Sequence, residues 1–255
     1  MLDQPVEKSY GPLDFNQFRT YQNNFYLRFL DEPLNYHRHV ITDLTDALER
    51  FKRGGELSFE DAYDLALTAE RATGVRAALV LAILEQESRL GKNVGQCSPE
   101  NSMHPTRDLP KFNQIISDLR NSGEYVPDPL LVSCAISAHG AYGGAMGPAQ
   151  FIPSTWGLYQ DDIAEVTGNN PPSPWRNADA FVATSLYLKN SLSSSSCKNY
   201  ASENQNVLPY QFLQERCAAA QYYSGGNWYR FRFVYGDPVV ERAEKFQKDI
   251  DILNR

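Results

Sequence analysis

The sequence predicts a mainly α-helical protein, of the α+β class if a small hairpin forms between residues 123 and 153. Apolar residues recur at steps of three and four along much of the chain, which is the spacing of one helix face. The eight consecutive apolar residues 77–84 lie between glycines. No segment alternates apolar and polar residues clearly enough to predict a strand.

Two helices are expected before the main domain. Residues 14–30 carry aromatic rings at helical spacing, and residues 43–53 form an amphipathic pattern that Gly54 and Gly55 end. Residues 1–57 are therefore predicted to be an N-terminal helical extension, and residues 58–255 a single main domain. The aromatic stripe consists of Phe15, Phe18, Tyr21, Phe25 and Phe29.

The main domain begins with a capping box, because Ser58 precedes Asp61 at the spacing that closes a helix N-terminus. This helix should run to about residue 73. The next helix contains the apolar run 77–84, which leaves no polar face and predicts a helix through the middle of the domain. Later helix starts are predicted at Asp108 or Leu109, at Asp128–Pro129, at Asn177, at Pro209 and at Pro238.

These later helices have expected ends and inward faces. The helix from Asp128 should reach about residue 138, the one from Asn177 about 191, and the one from Pro209 about 222. The inward side chains should be Phe112, Ile115, Ile116 and Leu119 in one helix, and Val239, Ala243, Phe246 and Ile250 in the last.

Charge and hydropathy exclude some partners. The formal net charge is −7 and the chain has no run of Lys or Arg, so a nucleic-acid partner is not expected. The longest apolar run has eight residues, far below the length of a transmembrane helix. No signal peptide is visible at the start, which fits a cytoplasmic protein or a secreted one supplied without its export segment.

Four cysteines occur without a C-x-x-C pair, which argues against a zinc site. A disulfide between Cys197 and Cys217 would restrain the polar segment 193–206, which otherwise has little reason to be ordered. Cys97 and Cys134 would form the second pair. Two disulfides would indicate an oxidising compartment, and four buried thiols are the alternative.

The end of the apolar helix offers a candidate acid. Glu85 and Glu87 follow the run directly, and two residues of separation place them on different sides of a helix. A carboxylate at the end of an apolar helix loses solvation, which raises its pKa toward the range that protonation of a leaving oxygen requires. Two solvated surface glutamates are the alternative.

A second candidate segment, 140–154, contains four glycines within residues 140–147. Glycine lets the backbone adopt positive φ or approach a ligand closely. Met146 and Phe151 offer apolar contacts, and Gln150 offers a donor and an acceptor for hydroxyls or an acetamide. The segment lacks the lysine of a phosphate loop, so nucleotide binding is not expected, and a tight connection between helices is the alternative.

Together the two segments resemble the paired motifs of lytic transglycosylases, in particular the membrane-bound lytic transglycosylase B type. Glu87-Ser88-Arg89-x-Gly91 is followed about fifty residues later by the run from Gly144 to Ser154, Gly-Ala-Met-Gly-Pro-Ala-Gln-Phe-Ile-Pro-Ser. Residues 177–188 are similar to the next helix of that family, and 219–225 occupy the place of its aromatic-Asn turn. The resemblance covers residues 58–255.

The resemblance implies a lysozyme-like fold and a peptidoglycan substrate. Glu87 would protonate the glycosidic oxygen after N-acetylmuramic acid and then accept the proton of the muramyl C6 hydroxyl, which closes a 1,6-anhydro ring. Ser88 would orient the glutamate. The other implied substrate-binding residues are Met146, Gln150, Phe151, Tyr222, Tyr223 and Trp228.

No cofactor or metal is expected, because no His, Cys or Asp cluster has ligand spacing. The implied location is extracytoplasmic, in the periplasm, in the cell wall or secreted. The implied partners are glycan strands, together with possible proteins of the cell envelope or of wall remodelling.

Two departures from the family pattern leave alternatives open. Ala141 stands where that type usually has a Ser, and Tyr222–Tyr223 replaces the common Tyr-Asn. Both changes remove small polar groups expected near the acetamide or the C6 hydroxyl. A goose-type lysozyme-like hydrolase and a catalytically silent cell-wall-binding module are therefore the alternatives.

Overall fold

The computed structural model describes residues 57–135 and 142–253, and this part of the chain is mainly helical, as predicted. Its α-helices are α1 (Phe59–Thr73), α2 (Ala77–Ser88), α3 (Pro99–Ser102), α4 (Leu109–Asn121), α5 (Pro153–Thr167), α6 (Asn177–Ser193), α7 (Ser195–Asn204), α8 (Tyr210–Ser224), α9 (Trp228–Phe231) and α10 (Asp237–Leu253). A 3₁₀ turn, Gly225–Asn227, precedes α9, and a π-helix, Arg232–Gly236, follows it.

Helix α2 runs through the middle of the described domain. Residues 77–84 are each at most 2% exposed, and helices α1, α6 and α10 pack around them. Burial of such a run removes its apolar surface from water on every side of the helix. The prediction of a central helix is confirmed.

Local signals placed most helix boundaries well. The Ser58 hydroxyl accepts a hydrogen bond from the Asp61 amide at 3.1 Å and donates to the Asp61 carboxylate at 2.8 Å. Helix α1 ends at Gly74, whose φ of +80° favours glycine. The predicted inward faces of α4 and α10 are buried or, at Phe246, partly buried against the core.

The prediction of a helix from Asp128 is wrong within its described part, 128–135. The Val132 amide donates to the Cys97 carbonyl at 2.9 Å, and the Cys97 amide donates to the Val132 carbonyl at 3.1 Å. This pairing holds the backbone extended and outweighs the local capping signal. The described residues of the predicted hairpin contain isolated bridges and form no regular strand.

Among the described α-helices of ten residues or more, two were missed. Helix α5 begins with Pro153. The backbone amide of Ser154, in its first turn, donates to the carboxylate of Asp108, which lies 46 residues earlier in the chain, at 3.2 Å. Helix α7 lies in the segment expected to be a loop, where the Ser194 hydroxyl accepts from the Cys197 amide and caps the helix.

Both predicted disulfides are confirmed, and the alternative of free thiols is wrong. Cys97 is bonded to Cys134, and Cys197 to Cys217, with Cα–Cα distances of 5.1 and 5.3 Å. The second bond joins α7 to α8. Two disulfides are typical of proteins that fold in an oxidising compartment. None of the helices in residues 57–135 and 142–253 has the length and hydropathy of a membrane span.

Some expectations lie outside the described residues. These are the helices at 14–30 and 43–53, the extension 1–57 apart from its last residue, the end of the segment 128–138, and Ala141. They stay predictions.

Candidate active site

Glu87 lies one residue before the end of α2, where the chain leaves the buried helix. Arg89 and Leu90 both have φ in the left-handed region, +53° and +55°. The Ser88 hydroxyl donates to the Leu84 carbonyl at 3.2 Å and accepts from the Gly91 amide at 2.9 Å. The side chain of Ser88 is buried, so it stabilises the C-terminal end of α2 and is not exposed at a surface.

The environment of Glu87 suits a group that exchanges protons. Its side chain is half-buried, and its Oε1 accepts a hydrogen bond from the hydroxyl of Tyr235. Burial raises the pKa of Glu87 from 4.5 to about 7, while the bond from Tyr235 acts in the opposite direction. Near neutral pH the carboxyl group is thus present in both protonation states.

Three tyrosines surround the carboxyl group, and we call Tyr222, Tyr223 and Tyr235 the tyrosine group. The ring of Tyr223 stacks on that of Tyr235, with centroids 4.7 Å apart and 18° between the planes. Burial, and next the charge of Glu87, raise the pKa of all three hydroxyls. Tyr235 is buried, whereas Tyr223 is 36% exposed and lies on the solvent side of the group.

The π-helix Arg232–Gly236 places Tyr235 against Glu87. π-Helical turns are rare and are frequent at functional sites. Gly236 is required here, since a Cβ at this position would lie 2.5 Å from the carbonyl oxygen of Arg216. The sequence carries a turn signal before Pro238, but no local pattern indicates a contact between residues 148 positions apart. Tyr235 was therefore missed.

The glycine-rich segment forms a tight turn at residues 146–151. The Met146 amide donates to the Phe151 carbonyl at 2.9 Å, and Gly147 and Gln150 both have a φ in the left-handed region. A Cβ on Gly147 would lie 1.9 Å from the carbonyl oxygen of Pro174. The turn is thus shaped by a close backbone approach that glycine permits.

A hydrogen bond links this turn to the tyrosine group. The Tyr222 hydroxyl donates to the Ala149 carbonyl at 2.5 Å, and its ring packs 5.3 Å from that of Phe151. Met146 and Phe151 are buried, so they support the turn from the core. The Gln150 amide nitrogen donates to the Gly147 carbonyl at 2.8 Å. The structure therefore brings the turn, Tyr222 and Glu87 together.

Trp228 belongs to a different group of side chains. Its ring packs edge-on against Tyr200 at 5.2 Å, in the small hydrophobic cluster around the Cys197–Cys217 disulfide. Its described contacts are with this cluster and with Tyr229, at 5.5 Å.

Other buried acids have structural partners. Burial alone would raise the pKa of Asp108, but hydrogen bonds from Arg107 and Ser154 outweigh it, so the pKa lies below its usual range. Burial raises the pKa of Asp179, whose carboxylate accepts hydrogen bonds from Asn169 and Arg176. Within residues 57–135 and 142–253, no cluster of three His, Cys, Asp or Glu has metal-binding geometry.

Replacing Glu87 by Gln should change how stability depends on pH. The folded state holds the Glu87 proton until about pH 7, whereas the unfolded chain releases it near 4.5. The free energy of unfolding of the unaltered protein should therefore fall as pH rises through this window, by about 3 kcal/mol, and Glu87→Gln removes that fall. Urea denaturation at pH 4 and pH 8 measures the difference. An equal effect of the substitution at both values would contradict the raised pKa.

Comparisons with known proteins give no family or fold assignment. No family model, no curated protein and no solved structure matches the chain. The functional argument therefore depends on the geometry around Glu87 and on the resemblance of the motifs.

Proposed function

We propose that the protein is a peptidoglycan lytic transglycosylase with Glu87 as its single acid and base. The observation that carries the proposal is a carboxyl group at the end of a buried helix, with its pKa raised to about 7 and a hydrogen bond from Tyr235. The glycine turn that accompanies this glutamate in the resembling family lies beside it, through Tyr222.

In the first step, protonated Glu87 gives its proton to the glycosidic oxygen between N-acetylmuramic acid and N-acetylglucosamine. The bond from C1 to that oxygen breaks, and the muramyl acetamide stabilises the positive charge that develops at C1. Glu87 becomes a carboxylate. Tyr235 continues to donate its hydrogen bond to this charged form and stabilises it between the two steps.

In the second step, the C6 hydroxyl of the same muramyl residue attacks C1. Its proton passes to the Glu87 carboxylate while the bond from O6 to C1 forms. Glu87 is then protonated again and the product carries a 1,6-anhydro ring. No water is consumed, and one residue performs both proton transfers.

The surroundings of Glu87 favour this route over the two-carboxylate mechanism of most glycosidases. Burial raises the pKa of Glu87 against the opposite effect of the Tyr235 hydrogen bond, and no second described carboxylate contributes to the shift. The buried acids Asp108 and Asp179 are held by arginine partners of their own. A single-glutamate mechanism needs no other acid.

Two residues are proposed to bind the substrate directly. The amide nitrogen of Gln150 is engaged within the turn, and its amide oxygen accepts no hydrogen bond from the described residues, so it is available to an acetamide N–H. Tyr223 stands where the family has Asn, at the exposed edge of the tyrosine group. We assign its hydroxyl to the C6 hydroxyl of the muramyl residue.

The proposed location is extracytoplasmic, in the periplasm, in the cell wall or secreted. The substrate lies outside the cytoplasm, and the two disulfides are compatible with that environment.

The deciding experiment is mass spectrometry of muropeptides released from purified sacculi. Products lighter than hydrolytic muropeptides by one water are expected. Products with reducing ends would identify a lysozyme-like hydrolase instead. Absence of any release between pH 5 and pH 8, the window around the pKa of Glu87, would contradict an enzyme and favour a wall-binding module.

Replacing Tyr235 by Phe should shift the pH profile of cleavage toward higher pH. The Tyr235 hydrogen bond lowers the pKa of Glu87, so its loss raises that pKa further and keeps the acid protonated at higher pH. The measurement is kcat/KM on soluble glycan strands against pH. Tyr210→Phe, at the exposed start of α8, is the matched control and should leave the profile unchanged. An unshifted profile for Tyr235→Phe would show that deprotonation of Glu87 does not cause the fall of kcat/KM at high pH.

A further inference from the structure

An exposed aromatic surface adjoins the candidate site. Tyr229 is 55% and Phe233 is 53% exposed, in the segment between α8 and α10. Exposed rings grouped in this way are typical of binding surfaces. The same segment is linked to the candidate site, because its Phe231 packs edge-on against Tyr223 at 5.1 Å and Tyr223 stacks on Tyr235, which contacts Glu87.

Two arginines alternate with the rings of this surface. The guanidinium carbon of Arg232 lies 3.6 Å from the ring centroid of Tyr229 and 4.1 Å from that of Phe233. The guanidinium carbon of Arg216 lies 5.1 Å from the centroids of both Phe233 and Phe212. We call the series Phe212, Arg216, Phe233, Arg232, Tyr229 the arginine–aromatic stack. Stacking holds each guanidinium plane in place.

The two arginines differ in how their charge is compensated. Arg216 is buried and paired with Asp237. Arg232 is half-buried, and in the part of the chain that the structure describes no carboxylate lies within ion-pair distance of it. Its Nη1 donates to the Tyr229 carbonyl, and a guanidinium has further N–H groups to offer. A held, uncompensated guanidinium at the surface suits an anion with carboxylate geometry.

We infer that Arg232, with Tyr229 and Phe233, binds a carboxylate of the peptide stem on the glycan strand. This inference rests on the proposed function, since muramic acid residues carry short peptides with free carboxylates. The rings provide apolar surface for the sugar or peptide beside that carboxylate. The stack thereby makes the site selective for strands that still carry their peptides.

The test uses Glu87→Gln protein, so that strands stay uncut, and isothermal titration calorimetry. The probes are soluble uncrosslinked glycan strands with stem peptides, and the same strands after an amidase has removed the peptides and the lactyl carboxylates that this exposes have been converted to methyl amides. The Glu87→Gln protein should bind the peptide-bearing strands more tightly. Adding Arg232→Gln should weaken that binding roughly fivefold to tenfold and leave binding of peptide-free strands nearly unchanged.

Matched variants separate the stack from general charge effects. Arg230→Gln removes the same charge from an exposed residue two positions earlier and should change little. Phe233→Ala should weaken binding of both strand types. Circular dichroism checks that each variant is folded.

Equal affinity of the Glu87→Gln protein for the two strand types, or no effect of Arg232→Gln, would overturn the inference. The muropeptide assay on the unaltered protein reports the proposed function separately. Cleavage without peptide preference would leave the proposed function standing and contradict only the role of Arg232. If neither cleavage nor binding were detected, both the proposed function and the role of Arg232 would be contradicted.

Discussion

Replacing Glu87 by Gln should lower the rate of glycan cleavage by about a thousandfold or more, because general acid and base catalysis are lost in one substitution. Glutamine has nearly the shape of glutamic acid, but it cannot give a proton to the glycosidic oxygen or take one from the C6 hydroxyl. The Tyr235 hydroxyl can still donate to the new amide oxygen, so the fold should persist. Initial rates of muropeptide release at pH 6, where most of the Glu87 side chains are protonated, measure the effect.

Glu85→Gln is the matched control for this substitution. Glu85 belongs to the same helix end, two residues earlier, and its side chain points to another side of the helix. The control should leave the rate within about twofold, because Gln keeps the shape of Glu85 and this side chain does not share the helix face of Glu87. Equal losses in both variants would indicate damage to the end of α2, and a normal rate in Glu87→Gln would exclude Glu87 as the acid.

Replacing Gly147 by Ala should lower the free energy of unfolding by about 3 kcal/mol or more. The φ of +59° disfavours any residue with a Cβ, and the added carbon would lie 1.9 Å from the Pro174 carbonyl oxygen and 2.8 Å from its carbonyl carbon. Both obstacles are backbone atoms, so a side-chain rotation cannot relieve the contact. Urea denaturation followed by circular dichroism measures the loss.

Gly157→Ala makes the same chemical change as Gly147→Ala but should stabilise the protein. Gly157 lies inside α5, and a Cβ there would meet no atom within 4 Å. Alanine should stabilise this helix by roughly 0.5–1 kcal/mol. If Gly147→Ala proved as well tolerated as Gly157→Ala, the close approach to Pro174 would not be required for the fold.

Local interactions explain which parts of the fold could be predicted. The apolar run of α2 and the cap at Ser58 are complete within a few neighbouring residues. Helix α5, in contrast, is capped by Asp108 from 46 residues away. The segment 128–135 has a good helix start, but its backbone pairs with Cys97 across the chain. Its extended form is decided by a contact that the local sequence does not contain.

The same distinction applies to the candidate site. Glu87 and the glycine turn belong to continuous motifs, and the structure brings them together through Tyr222 and Ala149. Tyr235 reaches Glu87 only through the π-helix that follows α9. Ser88, Met146 and Phe151 belong to the motifs but are buried, so these motif positions shape the site from inside the core.

The Cys197–Cys217 bond has a practical consequence for preparing the protein. It ties α7 to the helix that carries Tyr222 and Tyr223, and in the chain-entropy account a crosslink of this span contributes about 3 kcal/mol. Protein produced in a reducing host would lack that crosslink. Helix α7 would then be less firmly held against the helix that carries Tyr222 and Tyr223. Export to an oxidising compartment, or oxidative refolding checked by thiol titration, is therefore the production route on which the assays above depend.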